Sequence, residues 1–294
     1  MLLAALLLCA AVAAPSSPES PAASALRAPP SPAALALQAA LDAAIAAGDP
    51  TFSLPPGATY FNAASFNISG ARGMAIAGTG DSMFIFAPGF GVNVSNAEVS
   101  SLQNVTIDYA PLPYVYGAVT AANASGLEVQ LDAASLTFAE LPPPHDIYPP
   151  GTVFRGGSLL RPVCSWGAPA PAAALGGLAY RVACRGEGVL PGDVFVAATR
   201  VGITLSLSNC TGVLVQDVAL RAASYMAVTE FQGGGGNTYR RVNISAPSPS
   251  RPLGSNADGF HSSGARVGPR LEGVVIKGLL DGAWGVAGSA AREE

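Results

Sequence analysis

Charge is scarce in this sequence, and lysine is almost absent. Charged residues make up 12% of the 294 residues, about half the usual share. Lys277 is the one lysine, and every other basic residue is Arg. Long exposed helices and coiled coils are rich in charged side chains, so this composition argues against them. Because 19 acidic residues outnumber 15 basic ones, no basic surface for duplex nucleic acid is expected.

Long apolar runs are also missing, except at the start of the chain. Residues 1–14 read MLLAALLLCAAVAA, a run with the length of a signal-peptide core and too short to span a bilayer. Ala11-Val12-Ala13 has the small-x-small pattern of a cleavage site. We therefore predict a signal peptide over 1–13, a Pro/Ala/Ser-rich linker over 14–30, and a secreted protein without a membrane span. A buried N-terminal helix is the alternative, because no basic residue precedes the run.

Cysteine is rare, and one of the four cysteines lies in the predicted signal peptide. Cys164 and Cys184 flank one loop, and we predict that they form a disulfide in an oxidising compartment. Cys210 lies inside an Asn-Cys-Thr sequence and is expected to be buried and unpaired. Six Asn-x-Ser/Thr sequons predict N-glycosylation at some sites, although chance explains several in a turn-rich chain. The sequons begin at Asn67, Asn93, Asn104, Asn123, Asn209 and Asn243.

One helix is clearly indicated. Ser31-Pro32 supplies an N-cap and a proline at the first helical position, and Gly48-Asp49-Pro50 ends the pattern. Between them, Leu37, Leu41 and Ile45 recur at intervals of four and form one apolar stripe. The region that follows is rich in strand and turn residues.

A short apolar spacing recurs through that region: apolar, two residues, apolar, one residue, apolar. It occurs at Ala71/Met74/Ile76, Leu102/Val105/Ile107, Val215/Val218/Leu220, Tyr239/Val242/Ile244 and Leu271/Val274/Ile276. Repeated coils that differ mainly in loop length are typical of a β-solenoid, in which inward side chains stack about 4.8 Å apart. We therefore predict an all-β solenoid with an N-terminal capping helix. A β-sandwich of short strands is the alternative.

Residues 117–200 interrupt this repeat. A hairpin is indicated around 123–126, and strand-like segments follow Pro-rich loops. We predict an inserted antiparallel β module over 117–200. The cap helix and first coils would then occupy 31–116, further coils 201–282, and an irregular tail 283–294.

Two segments resemble a known group of proteins over about residues 31–282. Leu54-Pro-Pro-Gly57-Ala-Thr-Tyr60 after the helix resembles the cap and first coil of right-handed parallel β-helix proteins of the pectin-lyase-like superfamily. Ser255-Asn-Ala-Asp258-Gly-Phe-His261 with Asp281-Gly282 is similar to the acidic coils of polygalacturonase-type glycoside hydrolases and of α-1,3-galactosidases with a β-barrel insert. The resemblance implies a secreted protein that acts on galactose- or galacturonate-containing glycans.

This chain departs from the pattern of those hydrolases. They usually carry Asp-Asp where this chain has Asp281-Gly282, and they continue with further coils and basic substrate-binding residues. No cap for the last coil is visible after Asp281. We therefore expect a truncated or misread gene end.

The candidate catalytic residues are Asp258 and Asp281. Glycoside hydrolysis uses two carboxyl groups across the scissile bond, and 23 residues separate this pair, about one coil. The alternative is that each Asp bonds its own backbone in a turn, as Asp-Gly commonly does. Candidate substrate-binding residues are His261, Arg266, Arg270 and the reserve carboxylate Glu230. Tyr225 and Trp284 either stack on sugar rings or pack in the core.

No metal or cofactor motif is present, so neither is predicted, and a monomer is expected. Two functions remain open at this stage. The first is a glycoside hydrolase with two catalytic carboxyl groups, which is favoured over a polysaccharide lyase. The second is a non-catalytic β-helix that binds glycans or serves as a surface module, because one solenoid fold hosts many functions.

Overall fold

The computed structural model describes residues 28–140, 151–164, 172–198 and 200–287. Within these ranges the chain forms one helix and three β-sheets. Helix α1 spans Pro32–Ala47; the Ser31 hydroxyl accepts a hydrogen bond from the Ala34 N–H, and Gly48 ends the helix with φ of 73°. Leu41 is fully buried against the first coils. The predicted helix and its two caps are confirmed.

Two sheets contain only parallel strand pairs. The ten-stranded sheet contains β1 (Thr51–Ser53), β2 (Ala58–Asn62), β4 (Ala75–Ala77), β5 (Met83–Phe86), β7 (Ser101–Tyr109), β16 (Leu214–Leu220), β18 (Thr238–Arg240), β19 (Asn243–Ile244), β21 (Arg270–Glu272) and β22 (Val275–Ile276). The six-stranded sheet contains β3 (Phe66–Ser69), β6 (Val92–Ser95), β15 (Leu205–Ser208), β17 (Val228–Phe231), β20 (Phe260–Ser263) and β23 (Trp284–Ala287).

The chain alternates between these two sheets and adds one coil at each passage. In the six-stranded sheet, for example, Phe66 pairs with Val92, and Val92 pairs with Leu205 of the next coil. Parallel pairing of consecutive passages, with the apolar core between the two sheets, is the arrangement of a parallel β-helix. The all-β solenoid prediction is therefore supported at the level of the fold.

The predicted apolar ladders lie in register in four of the five repeats. Val105 pairs with Val218, and Leu220 pairs with both Ile107 and Ile244. The first repeat is aligned differently, because Ile76 pairs with Leu102, the first member of the next triplet, and not with Ile107. A turn over 78–82 separates β4 from β5 in that coil, whereas β7 runs without a break. The apolar spacing therefore does not by itself give the register of this coil.

Truncation of a ladder residue tests this packing. Val242 is 1% exposed, so we expect Val242→Ala to lower the free energy of unfolding by about 1–3 kcal/mol through lost burial and a small cavity. Val275, on β22 and 41% exposed, is the matched control, and Val275→Ala should change stability by less than about 0.5 kcal/mol. Chemical denaturation of both variants provides the measurement, and equal effects would contradict the inward ladder.

The third sheet is antiparallel and lies in sequence between β7 and β15. It contains, in spatial order, β11 (Ser158–Pro162), β10 (Thr152–Arg155), β14 (Val194–Ala198), β8 (Tyr114–Asn123), β9 (Gly126–Leu131), β13 (Ala179–Val182) and β12 (Ala172–Gly176). β8 and β9 form the predicted hairpin, with Asn123 opposite Gly126. Its buried residues form a cluster separate from the solenoid core.

The disulfide lies in the antiparallel sheet region, and the free cysteine lies in the solenoid. Cys164 and Cys184 are joined in a disulfide within the antiparallel sheet region, with Cα atoms 4.7 Å apart. Cys210 is buried in the solenoid as a free thiol, and burial raises its pKa.

Polar contacts join three segments of the solenoid beside the antiparallel sheet. Asp108, at the end of β7, accepts a 2.8 Å hydrogen bond from Arg251, and Arg221 lies 4.0 Å from the same carboxylate. Asp108 is 6% exposed. A Cβ at Gly157 would lie 3.6 Å from Pro249, so the β10–β11 turn rests on the loop that carries Arg251. We refer to Asp108, Arg221 and Arg251 as the Asp108 cluster.

Regular structure continues beyond the predicted boundary at 282. Strand β23 pairs with β20 through Phe260 and Trp284, so the segment predicted to be irregular contains a strand of the last described coil. The predicted signal peptide and most of the linker lie outside the described residues. Among the helical residues that the structure describes, none belongs to a helix with the length and apolarity needed to cross a membrane.

Candidate functional site

The six-stranded sheet presents a polar outer face. Along its strands, buried inward residues such as Phe66 and Ile68 alternate with outward ones. We call the outward residues the polar face: Asn67, Ser69, Asn93, Ser95, Ser206, Ser208, Thr229, Phe231, His261 and Ser263. Hydrogen bonds link neighbouring coils across this face: Asn93 donates to Asn67 at 3.1 Å, and Thr229 donates to Ser206 at 3.2 Å. Phe231 is its one apolar member, and Thr229 is fully buried although it points outward in the strand alternation.

Asp258 and His261 form a pair at one end of this face. Asp258 lies two residues before β20, His261 lies within it, and Oδ2 of Asp258 is 3.0 Å from Nδ1 of His261. The two side chains are 18% and 25% exposed, so solvent can reach both.

Two glycines of the last coil leave room for this pair. A Cβ at Gly282 would lie 3.1 Å from Oδ1 of Asp258, and a Cβ at Gly285 would lie 2.9 Å from Nδ1 of His261. A larger residue at 285 would press directly on the imidazole. Gly282 stands where the resembled hydrolases usually carry a second Asp. In this structure its lack of a side chain leaves space for the Asp258 carboxylate.

Asp281 lies one coil beyond Asp258 and has a different partner. Its Oδ2 accepts a 2.7 Å hydrogen bond from the guanidinium of Arg200, whose side chain is 13% exposed. Arg200 also lies over the ring of Tyr225, with 5.4 Å between its Cζ and the ring centroid, a cation–π distance. Arg200 follows β14, so the chain leaving the antiparallel sheet supplies the cation that engages Asp281.

The two aspartates precede neighbouring strands, β20 and β23, at the same end of the six-stranded sheet. They are not opposite each other in the strand register. Gly259 donates its N–H to the carbonyl of Gly282, and Phe260 pairs with Trp284. By this register Asp258 is opposite Gly282, and Asp281 is opposite Ala257. Each carboxylate therefore faces its own partner, His261 for Asp258 and Arg200 for Asp281.

A cleft of about 370 Å³ opens beside Arg200, within the size range of small-ligand sites. It combines amide and hydroxyl groups with one aromatic ring and one cation. The lining residues are Ser65, Gly89, Asn93, Arg200, Gly202, Ile203, Ser206 and Tyr225. Arg200 connects this cleft to Asp281, while Asn93 and Ser206 belong to the polar face. The sequence analysis missed Arg200, because nothing in its neighbourhood distinguishes it from other arginines.

The reserve carboxylate Glu230 lies inside the solenoid. It pairs in register with Ser262 of the next coil, is 1% exposed, and accepts a 3.1 Å hydrogen bond from the Tyr239 hydroxyl. Inward alternation along β17 explains the placement, because Thr229 and Phe231 take the outward positions. Burial raises the pKa of Glu230, so the interior favours its protonated form. In this position Glu230 does not face the cleft.

Glu230 therefore makes stability depend on pH. Because its pKa is raised in the folded state, its contribution is fully present below the unfolded-state pKa and is lost as pH rises through the folded value. We expect Glu230→Gln to raise the melting temperature at pH 8 by about 2–4 °C for each 1 kcal/mol of removed penalty. The variant should also lose part of the decline between pH 5 and pH 8. Glu98→Gln, at an exposed glutamate, is the control; equal pH profiles for wild type and Glu230→Gln would contradict the argument.

The two predicted substrate-binding arginines lie away from Asp258. Arg266 is exposed beside a second cleft, of about 550 Å³, at the opposite end of the strands. Arg270 lies on β21 in the ten-stranded sheet and forms a 2.5 Å ion pair with Glu272. The strand order separates these positions, since β20 and β21 belong to different sheets. Trp284 is 48% exposed and packs its ring 5.8 Å from Phe260.

The six sequons differ in exposure. Asn104 is half-buried, and the other five asparagines are exposed: Asn67, Asn93, Asn123, Asn209 and Asn243. Asn93 also lines the cleft beside Arg200. Over the described ranges, no group of three or more His, Cys, Asp or Glu residues is arranged to hold a metal ion.

Comparison with known proteins yields little. No family model matches the chain, and no curated protein matches it. Among solved structures, the chain is similar to the tailspike protein gp49 from Pseudomonas phage LKA1, with 16% sequence identity and a TM-score of 0.26. That similarity covers 80% of this chain and 39% of the tailspike chain. The chain thus spans well under half of that protein.

Proposed function

We propose that the protein is a glycan-active β-helix protein whose ligand binds at the polar face and in the cleft beside Arg200. A sugar ring offers hydroxyl groups and an apolar face. The cleft offers the matching groups, namely the amide of Asn93, the hydroxyl of Ser206 and the ring of Tyr225. The favoured activity is hydrolysis of a glycosidic bond in a galactose- or galacturonate-containing glycan.

One observation carries the hydrolytic proposal: Asp258 and Asp281 precede neighbouring strands at the same end of one sheet, and Arg200 joins Asp281 to the cleft. Each carboxyl group has a partner that fixes its place, with His261 on Asp258 and Arg200 on Asp281. Glycoside hydrolysis requires one group that donates a proton and one that activates water or attacks the sugar. These two partnered carboxylates are the candidates for that chemistry.

A non-catalytic glycan-binding module is the second candidate, and it also rests on a specific observation. Arg200 already forms an ion pair with the Asp281 carboxylate, and Gly282 has no side chain opposite Asp258. A surface that binds a glycan without cleaving it needs only the polar face, Tyr225 and the cleft.

One experiment separates the two functions. The secreted full chain would be incubated with a panel of galactosides and pectins, with release of reducing ends as the readout for hydrolysis and calorimetry as the readout for binding. Hydrolysis that Asp281→Asn abolishes supports the enzyme. Binding without hydrolysis supports the module, with a loss of about 1–3 kcal/mol expected for Tyr225→Ala from a lost ring contact. Neither binding nor hydrolysis on any glycan would reject both.

The remaining organisation is part of the same proposal. We infer secretion after cleavage near residue 13, N-glycosylation at exposed sequons, and a monomeric state. The proposed division is 31–116 for the cap and first coils, 117–200 for the insert, and 201–282 for further coils. An insert that supplies Arg200 to the site from its end at β14 supports this division.

A further inference from the structure

His261 contacts Asp258 through one particular ring nitrogen, and this determines what the other nitrogen can do. Nδ1 lies 3.0 Å from Oδ2 of Asp258. An ionised carboxylate only accepts hydrogen bonds, so Nδ1 must carry the hydrogen of this contact. Nε2 then carries a lone pair in the neutral ring and a second proton in the imidazolium. Asp258 thus fixes the tautomer of the imidazole in which Nε2 is the nitrogen that gains or loses a proton.

Two glycines leave space around the Asp258–His261 pair. Gly285, which pairs in register with His261, has no side chain, and a Cβ there would lie 2.9 Å from Nδ1. Gly282 leaves similar space at Oδ1 of Asp258. The last described coil therefore accommodates both members of the pair without displacing either.

Asp281 is held by a different residue, Arg200. Arg200, a permanently charged guanidinium, donates a 2.7 Å hydrogen bond to Oδ2 of Asp281 and so fixes the position of this carboxylate. The bond to Oδ2 leaves Oδ1 as the carboxylate oxygen that can accept a hydrogen bond from a water molecule. Asp281 is therefore the candidate that orients water, and the ring of His261, held by Asp258, is the candidate proton donor.

We propose that His261 is the catalytic acid of this site, that Asp258 is its positioning residue, and that Asp281 is the base. This assignment rests on the proposed hydrolytic function and deepens it. The Nε2–H of the imidazolium protonates the leaving oxygen as the glycosidic C–O bond breaks. A water oxygen forms the new bond to the anomeric carbon, and its proton passes to the Asp281 carboxylate. Both groups return to their starting states by proton exchange with solvent.

The first test needs no activity. The chain contains two histidines, His145 and His261, so ¹⁵N-histidine labelling of the full chain gives a two-residue spectrum, and His261→Gln assigns it. Long-range ¹H–¹⁵N spectra of the neutral rings should show His261 protonated at Nδ1. Asp258→Asn should shift it toward the Nε2-protonated form. An Nε2-protonated His261 in the wild type, or an unchanged tautomer in Asp258→Asn, would overturn the pair.

The second test uses hydrolysis. His261→Ala should reduce the release of reducing ends at least 100-fold, and added imidazole should restore it about 10-fold or more. Asp281→Asn should lose activity to a similar extent without rescue by imidazole, because imidazole replaces only the acid. Hydrolysis by the wild type that survives in His261→Ala would overturn the acid role and leave the proposed function intact. A wild type without hydrolysis on any glycan would reject the acid role together with the hydrolytic proposal, while the tautomer result would still decide the Asp258–His261 pair.

Discussion

Asp258→Asn should reduce the turnover of a hydrolysed glycan by about 10³-fold or more while the melting temperature stays within about 2 °C of the wild type. The amide keeps the shape of the side chain but removes the carboxylate that accepts the hydrogen bond from Nδ1 of His261 and orients its ring. Stability should change little because Asp258 is partly exposed and Gly282 leaves space beside it. Steady-state rates and thermal unfolding of the same preparations provide the measurement.

A matched control makes this result specific. Asp49 is an exposed aspartate directly after α1, outside the site, so Asp49→Asn should leave both turnover and melting temperature unchanged. If Asp258 only caps a turn, its substitution should instead lower the melting temperature and leave turnover within a factor of two or three. That outcome would remove Asp258 from the chemistry of the site.

The Asp108 cluster carries the largest expected effect on stability. Asp108→Asn should lower the free energy of unfolding by about 3 kcal/mol, because it leaves two partly buried guanidinium groups, Arg221 and Arg251, without their shared carboxylate. Arg251→Met should cost less, since Arg221 remains near Asp108 and the methionine side chain fills the space. Denaturant titration of both variants gives the order of the two effects.

The double variant completes this test. If Asp108 and Arg251 stabilise each other, Asp108→Asn with Arg251→Met should be clearly less destabilised than the sum of the single variants. Additive losses would mean that the 2.8 Å contact between Asp108 and Arg251 contributes little to stability.

Much of the solenoid follows from local sequence. Ser31 and Gly48 fix the ends of α1, because capping depends only on neighbouring backbone groups. The alternation of apolar and polar residues assigns Val218 and Val242 to the interior, since strand geometry turns successive side chains to opposite faces. Where a turn divides a coil, as between β4 and β5, spacing alone no longer gives the register of Ile76.

Only the tertiary structure decides the composition of the site. Sequence spacing paired Asp258 with Asp281, but coil register places Gly282 opposite Asp258 and leaves Asp281 to Arg200, 81 residues earlier in the chain. The same register places Glu230 in the core, although its sequence position suggested a reserve at the surface. The physical reason is that a solenoid builds its surface from residues one or more coils apart. Their contacts depend on loop lengths and on the path of the antiparallel insert, neither of which appears in the local pattern around any single residue.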